Sequence, residues 1–202
     1  DGKTLAFDLL GDVYTMPAAG GDATCIAAGL PYEHQPRWSP DGRHLLFTSD
    51  RGGGDNLWTM DSDGGNRAAL TKEEFRLFNE GSWHPSGRWV VGRKHFTSRR
   101  SLGAGEQWLV PFPEGGAGVQ LTKRKNDQQD AGEGVFSPDG KYLYWSEDMS
   151  GGATFEYNKD PNGSIYWVRR LEVATGEVLD LLTRPGGSSA TILAIAPASS
   201  VI

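Results

Sequence analysis

The stretch that decides the fold is residues 38–71, which read WSPDGRHLLFTSDRGGGDNLWTMDSDGGNRAALT. Its Ser-Pro-Asp-Gly segment is typical of a tight turn, because Pro fixes φ, Asp hydrogen-bonds the backbone ahead of it and Gly tolerates a positive φ. Leu45 and Phe47 then alternate as in a strand, and Trp58 lies in a second run of β-forming residues. A Gly-Gly turn precedes the closing Leu70-Thr71. The stretch therefore predicts four antiparallel strands, a to d, joined in chain order.

The same unit recurs along the whole chain. Its first-turn glycines are Gly2, Gly42, Gly87 and Gly140, which lie 40, 45 and 53 residues apart. The second aromatic residue recurs at Tyr14, Trp58, Trp108 and Tyr166. From the first glycine of the second turn to the closing apolar residue, the distance is six residues in every copy. This period and content predict an all-β chain, a β-propeller of four four-stranded blades or a four-blade portion of a larger propeller.

The turn residues are interpreted as structural and not catalytic. They are Pro40, Asp41, Gly42, Pro85, Gly87, Pro138, Asp139 and Gly140. The chain is expected to form a single domain over residues 1–202. Its blades are expected at about 1–30, 31–74, 75–125 and 126–184.

The two ends of the chain are complementary in this scheme. The sequence begins with Asp1-Gly2, inside a first turn, so the first blade lacks its strand a. The spacing from each closing residue to the next aromatic places a further strand at 190–197, followed by no complete turn motif. This strand is expected to complete the first blade, either of the same chain or of a partner chain in an exchanged homodimer. The chain is also expected to be a fragment of a longer protein.

Composition excludes several classes of function. The formal charge of −6 gives no basic footprint for nucleic acid or an anionic membrane. Hydrophobic residues make up 37% of the chain without a continuous apolar run long enough for a membrane span. One cysteine, Cys25, cannot form an internal disulfide.

No motif for catalysis or cofactor binding is present in the sequence. The four histidines form no close ligand pair, so no metal site is expected. A nucleophile elbow, a phosphate-binding loop and a dinucleotide fingerprint are also missing. No cofactor, metal or catalytic residue is therefore predicted.

Binding is expected on the face that carries the b–c and d–a segments. The b–c segments lengthen from blade to blade, and long loops on a rigid scaffold are where binding usually lies. The candidate binding residues are His34 and Phe78 in the d–a loops, His95, Phe96, Arg99 and Arg100 in the third b–c loop, and Phe155 and Tyr157 in the fourth. Aromatic and arginine side chains suit contact with a protein or peptide. A solvated loop face without a partner is the alternative.

Residues 38–71 resemble the repeat of the TolB-like propellers, and the resemblance extends through all four copies. The third copy departs from the pattern, with His84 and Ser86 where the family has Ser and Asp. The opening residues 1–24, DGKTLAFDLLGDVYTMPAAGGDAT, are similar to the N-terminal propeller of bacterial proteins that carry a metal-dependent amidohydrolase domain downstream. The resemblance implies a periplasmic or secreted bacterial protein that binds protein partners.

Three functions follow from these observations. The first is a non-catalytic interaction or scaffold propeller that binds a protein partner or its own downstream domain. The second is an accessory domain of a larger metal-dependent amidohydrolase whose catalytic part is absent from these residues. The third, less favoured, is an intrinsic hydrolase or lyase with a metal in the central channel, since some related propellers are enzymes.

Overall fold

The computed structural model of the chain describes residues 2–75, 77–98, 101–125, 129–150 and 165–183. These residues form fifteen strands and no helix. In the first two sheets the strands are β1 (Thr4–Leu9), β2 (Asp12–Pro17) and β3 (Thr24–Ala27), then β4 (Glu33–Trp38), β5 (His44–Ser49), β6 (Asn56–Asp61) and β7 (Ala68–Ala69). In the last two they are β8 (Phe78–Trp83), β9 (Trp89–Ser98), β10 (Ser101–Pro111) and β11 (Val119–Gln120), then β12 (Val135–Phe136), β13 (Tyr142–Asp148), β14 (Tyr166–Glu172) and β15 (Val178–Thr183).

Every sheet is an antiparallel meander whose strands pair in chain order. The predicted all-β class and four-sheet propeller-type architecture are therefore confirmed. Among the described residues the first sheet has three strands, which correspond to b, c and d of the repeat. The segment 190–197, predicted to supply its strand a, lies outside the described residues. No helix in the described part of the chain is long and apolar enough to cross a membrane.

Three apolar clusters fill the spaces between neighbouring sheets. Strand b of the second sheet contributes side chains to two of these clusters. Leu45 and Phe47 point into the cluster with Val13 of the first sheet, whereas Leu46 packs with Val90 of the third sheet. Since successive side chains of a strand point to opposite faces, a strand buried on both sides reads as a continuous apolar run.

Gly92 departs from the aromatic pattern of strand b, where the second and fourth sheets have Phe47 and Trp145. A Cβ at Gly92 would lie 2.6 Å from Cε2 of Phe78 and 2.8 Å from Cδ1 of Leu57. The ring of Phe78, at the start of β8, thus occupies the space that the missing side chain leaves. Phe78 is fully buried as a result.

The second turns of the second and third blades pack closely against the preceding sheet. A Cβ at Gly64 would lie 2.1 Å from the carbonyl oxygen of Ile26, and one at Gly115 would lie 2.3 Å from that of Leu70. Both glycines also have a positive φ. The Gly-Gly signature therefore reflects contact between blades as well as turn geometry.

Candidate functional site

The Ser-Pro-Asp-Gly turns are closed by their own side chains. Ser39 Oγ donates to Asp41 Oδ1 at 2.7 Å, and the same oxygen accepts the Arg43 amide at 3.1 Å. The His44 amide in turn donates to Ser39 Oγ at 2.9 Å. The hydroxyl of Ser39, together with the Arg43 amide, holds the pKa of Asp41 below its ordinary value. The carboxylate of Asp41 therefore serves to close the turn.

The turn of the fourth sheet repeats this arrangement. Ser137 Oγ donates to Asp139 Oδ1 at 2.6 Å, and the Lys141 amide donates to the same oxygen at 3.1 Å. These bonds likewise hold the pKa of Asp139 below its ordinary value.

The divergent third turn uses different atoms for the same purpose. The Ser86 amide donates to Nδ1 of His84 at 3.1 Å, which leaves Nε2 to donate to the Gly140 carbonyl oxygen at 3.1 Å. The His84 ring also packs edge-on against Phe136 of the fourth sheet. The substitution therefore adds a contact between adjacent blades.

The b–c and d–a segments lie together on the opposite side of the sheets from these turns, and this side is called the loop face. The a–b and c–d turns lie together on the other side, as shown by the 2.9 Å hydrogen bond from the Ser62 amide to the Arg43 carbonyl oxygen. On the loop face, the Glu33 amide donates to the Gly11 carbonyl oxygen at 2.8 Å, which joins the first d–a segment to the first b–c turn.

Two ion pairs are buried beneath the loop face. The carboxylate of Glu33 is fully buried and accepts hydrogen bonds from Arg51 at 2.5 and 3.2 Å. Lys94, itself almost completely buried, pairs with Glu73 and lies 4.3 Å from the centre of the Trp108 ring. Buried charges persist in proteins when they are paired and hydrogen-bonded, so these groups hold the segments in place.

A ladder of polar side chains runs along the innermost strands from blade to blade. Asp8 Oδ1 accepts the Gln35 amide at 3.0 Å, and Gln35 Oε1 accepts both the Thr48 hydroxyl at 3.0 Å and the Glu80 amide at 3.1 Å. Glu80 then accepts Nη1 of Arg93 at 3.2 Å. Gln35 and Glu80 occupy the same place in their blades, with φ of 57° and 53° at a register shift of strand a.

The ladder continues into the fourth blade. Arg93 Nη2 lies 2.5 Å from both carboxylate oxygens of Asp130, and Arg37 of the second blade binds Glu133 at 2.7 Å. Burial raises the pKa of Glu80 above its ordinary value, with Arg93 opposing and Glu133 and Asp130 adding to the rise. The ladder is thus a set of mutually engaged charges that joins the inner edges of the sheets.

Several large apolar side chains are exposed on the loop face. Leu10 is 92% exposed at the first b–c turn, Leu30 is fully exposed in the next d–a segment, and Phe75 is 82% exposed in the d–a segment after that. The Tyr32 ring, which covers Gly11, is also more than half exposed. Large side chains of this kind mark contact surfaces when they lie together.

The predicted binding residues are distributed unevenly over this structure. His34 is half-buried in β4 and its ring lies 5.2 Å from that of Tyr32. Phe78 was expected in a d–a loop, and this placement is wrong, because Phe78 begins β8 and is fully buried in the core. His95 and the backbone of Phe96 belong to strand β9, where His95 is buried, so the described part of the third b–c segment is paired strand and not a loop.

The remaining predicted binding residues lie outside the described residues. They are Arg99, Arg100, Phe155 and Tyr157.

Sequence reasoning missed the residues of the polar ladder. Gln35, Glu80 and Glu133 each precede the last aromatic residue of strand a by three positions. Aligning the copies on that aromatic residue would have exposed this regularity. Within the described parts of the chain, no group of three or more His, Cys, Asp or Glu side chains is placed to hold a metal ion.

Comparison with known sequences gives partial matches. No family model matches the chain. The uncharacterized peptidase YuxL of Bacillus subtilis is 30% identical over 156 residues, which cover 74% of this chain and 21% of that protein. The uncharacterized protein Atu1656 of Agrobacterium fabrum is 34% identical over 100 residues, which cover 48% of this chain and 31% of that protein. The chain thus spans between a fifth and a third of the length of these relatives.

Comparison with solved structures identifies the fold. The putative TolB from Agrobacterium tumefaciens has a TM-score of 0.71 at 21% identity, covering 95% of this chain and 65% of its own. An oligogalacturonate lyase in complex with manganese has a TM-score of 0.58 at 16% identity, covering 90% of this chain and 48% of its own. A prolyl endopeptidase has a TM-score of 0.63 at 14% identity, covering 87% of this chain and 26% of its own. The chain therefore has a TolB-like propeller-type fold, which proteins named TolB share with enzymes.

Proposed function

We propose that the chain is a non-catalytic binding propeller that recognises a protein partner through its loop face. The observation that carries this proposal is that the buried groups and the exposed groups of that face differ in kind. Its buried charges are engaged in structural pairs, as with Glu33–Arg51 and Lys94–Glu73, while its exposed tips present large apolar side chains. Such a surface has the composition of a contact site, and its buried ionisable groups are already engaged in pairs that hold the fold.

The two faces of the propeller differ in a way that supports this choice. The turns at 39–43 and 61–65 are closed by internal hydrogen bonds and leave little free hydrogen-bonding capacity. The segments at 8–12, 28–34 and 50–55 pack on one another and project their remaining side chains outward. Recognition on the loop face therefore requires no rearrangement of the sheets.

Selection of peptide ligands followed by mapping tests the proposal. A phage-displayed library of random 12-residue peptides is panned on the immobilised 202-residue chain, and selected peptides are synthesised. Hydrogen exchange of the chain with a bound peptide is expected to show protection in 8–12, 28–34, 50–55 and 72–77. Protection confined to the turns at 39–43 and 61–65, or the lack of any specific binder, would contradict the proposal.

A second candidate function is a propeller portion of a larger hydrolase. It is supported by the 30% identity to a peptidase of which the chain covers 21%. This suggests a hydrolase of the peptidase type in place of the amidohydrolase expected from the first 24 residues. Sequencing the reading frame that encodes these residues tests it, since an in-frame hydrolase domain is expected, and a frame without one would leave only the binding propeller.

An envelope location accompanies the first proposal. It is supported by the resemblance of the repeats to TolB-like propellers. Fractionation of the source cells, with detection of the chain by antibody, is expected to place it in the periplasm or the medium, and a signal confined to the cytosol would contradict it.

A further inference from the structure

The exposed apolar residues of the loop face are joined into one surface by hydrogen bonds between their segments. The Gly29 amide donates to Asp12 Oδ1 at 3.3 Å, and the Tyr32 amide donates to Asp50 Oδ1 at 2.8 Å. On the far side of the second b–c segment, the side-chain amide of Asn56 donates to the carbonyl oxygens of both Gly54 and Glu73 at 3.1 Å. The segments 8–12, 28–34, 50–55 and 72–75 thus form a continuous sector, called the apolar rim.

Leu10, one of the exposed residues of the rim, has a backbone conformation that is unfavourable for leucine. It is the first residue of a two-residue turn between Leu9 and Asp12, with a φ of 54°, and Gly11 follows with a φ of 90°. A turn with two positive φ angles strongly favours Asn or Asp before Gly, and a leucine there is unusual. Leu10 is also 92% exposed, so its side chain gains almost nothing from packing within the chain. A residue that breaks a local rule without compensation in the fold points to a role outside it.

The same sector carries uncompensated negative charge. Asp8, Asp12 and Asp50 each accept a backbone amide and have no cation within ion-pair distance among the described residues. Of the cations at or near the rim, Arg51 and Lys94 are already paired with Glu33 and Glu73, and Lys72 is exposed within the rim itself. The apolar tips therefore lie among acidic side chains that outnumber the one exposed lysine of the described rim residues.

We infer that the apolar rim binds a polypeptide segment that combines large apolar side chains with lysine or arginine. This inference rests on the proposed function and specifies its partner. Leu10, Leu30 and Phe75 would contact the apolar side chains, and Asp8 and Asp50 would attract the cations. Charge complementarity selects such a segment over acidic peptides, nucleic acids and anionic lipid surfaces, all of which the rim repels.

The test measures binding of the selected 12-residue peptides by fluorescence anisotropy. The peptides are expected to combine apolar residues with Lys or Arg, and to lose at least about tenfold in affinity for the variant Leu10→Asn, Leu30→Ser, Phe75→Ser, as expected for apolar anchors. The matched control is Leu5→Ser with Val119→Ser, which removes exposed apolar side chains away from the rim. It is expected to bind as the parent does.

Two further variants separate a binding role from a folding role. Leu10→Asn alone is expected to raise the thermal midpoint, because Asn suits the positive φ, while it weakens peptide binding. Asp8→Asn with Asp50→Asn keeps both amide acceptors, and it is expected to weaken binding and to reduce the loss of affinity between 50 and 500 mM NaCl.

The outcomes distinguish this inference from the proposed function. Peptides that protect the loop face but are acidic, or that bind the triple variant unchanged, would overturn the apolar rim and leave the loop face as the binding surface. Failure to select any peptide would overturn both. If light scattering shows that the parent self-associates and that the triple variant does not, the occupant is a second copy of the chain and the inference is wrong.

Discussion

Asp41 and Asp139 each accept a hydroxyl hydrogen from the serine two residues earlier and an amide hydrogen from the residue two positions later. These bonds favour the charged carboxylate and lower its pKa in the folded protein from the ordinary 3.8. A group with a lowered pKa in the folded state stabilises the fold above its ordinary pKa. That contribution disappears as the pH falls through the folded-state pKa.

Replacing Asp41 and Asp139 by Asn therefore has a defined pH signature. The double variant is expected to be less stable than the parent at pH 7 and to lose less of its stability between pH 6 and pH 3. Thermal unfolding across that range measures it. Glu114→Gln with Glu177→Gln is the charge-matched control, because neither carboxylate accepts a hydrogen bond among the described residues. Parallel curves for the aspartate variant and the parent would contradict the assignment.

The pKa of Glu80 is shifted in the opposite direction. Burial raises its pKa above the ordinary 4.5, and Asp130 and Glu133 face it with Arg93 as the opposing charge. Stability that depends on such a carboxyl group is present below its ordinary pKa and declines as the pH rises through the folded-state value.

Glu80→Gln is therefore expected to gain in stability relative to the parent as the pH rises from 4 to 7. Urea unfolding of the parent and the variant at pH 4 and at pH 7 gives the difference in the free energy of unfolding at each pH. A relative gain on lowering the pH would mean that the pair with Arg93 outweighs burial.

At the scale of strands, the threonine of the Leu-Thr pair that closes the second and third blades connects two strands. Thr71 Oγ1 accepts the Leu57 amide at 3.0 Å and donates to Asn56 Oδ1 at 2.8 Å. Thr122 Oγ1 accepts the Gln107 amide in the same way at 2.9 Å. The threonine thus ties the end of strand d to strand c beyond the last paired residues of the two strands.

Thr71→Val keeps the shape of the side chain and removes this tie. It is expected to cost about 1–3 kcal/mol in the free energy of unfolding, because the buried Leu57 amide loses its acceptor. Thr71→Ser retains the hydroxyl and serves as the control in urea unfolding. A valine variant as stable as the serine variant would contradict the role of the hydroxyl.

At the scale of the whole molecule, the first sheet ends at β1, an edge strand among the described residues. Exposed strand edges are templates for pairing with another strand. We propose that residues 190–197, which lie outside the described residues, pair with β1 of the same chain or of a partner chain, with exchange in a two-fold dimer as the favoured form.

Deleting residues 190–202 is expected to lower the thermal midpoint in either form. Light scattering of the parent separates the two forms, since the exchanged form is a dimer. A stable monomer would rule out exchange, and an unchanged thermal midpoint after deletion would rule out both.

Local patterns in the sequence predicted much of the fold and less of the site. The turn at Asp41 and the alternation of Leu45 and Phe47 are governed by hydrogen bonds and side-chain directions within a few residues. The burial of Phe78 was missed because it depends on Gly92, fourteen residues away. The exposure of Leu10 and Leu30 was not predicted, because an apolar residue next to a turn can be either buried or exposed.

The sequence by itself determined the four-fold repeat, the order of strands and the places where the chain turns, since each follows from conformational preferences that act locally. Only the tertiary structure decided which polar groups meet and which apolar groups stay in water. Arg37 and Glu133 lie 96 residues apart and come within 2.7 Å only because the inner edges of the sheets converge. The apolar rim likewise exists because packing of successive blades brings four loop segments to one sector and leaves the side chains of Leu10, Leu30 and Phe75 outside the core.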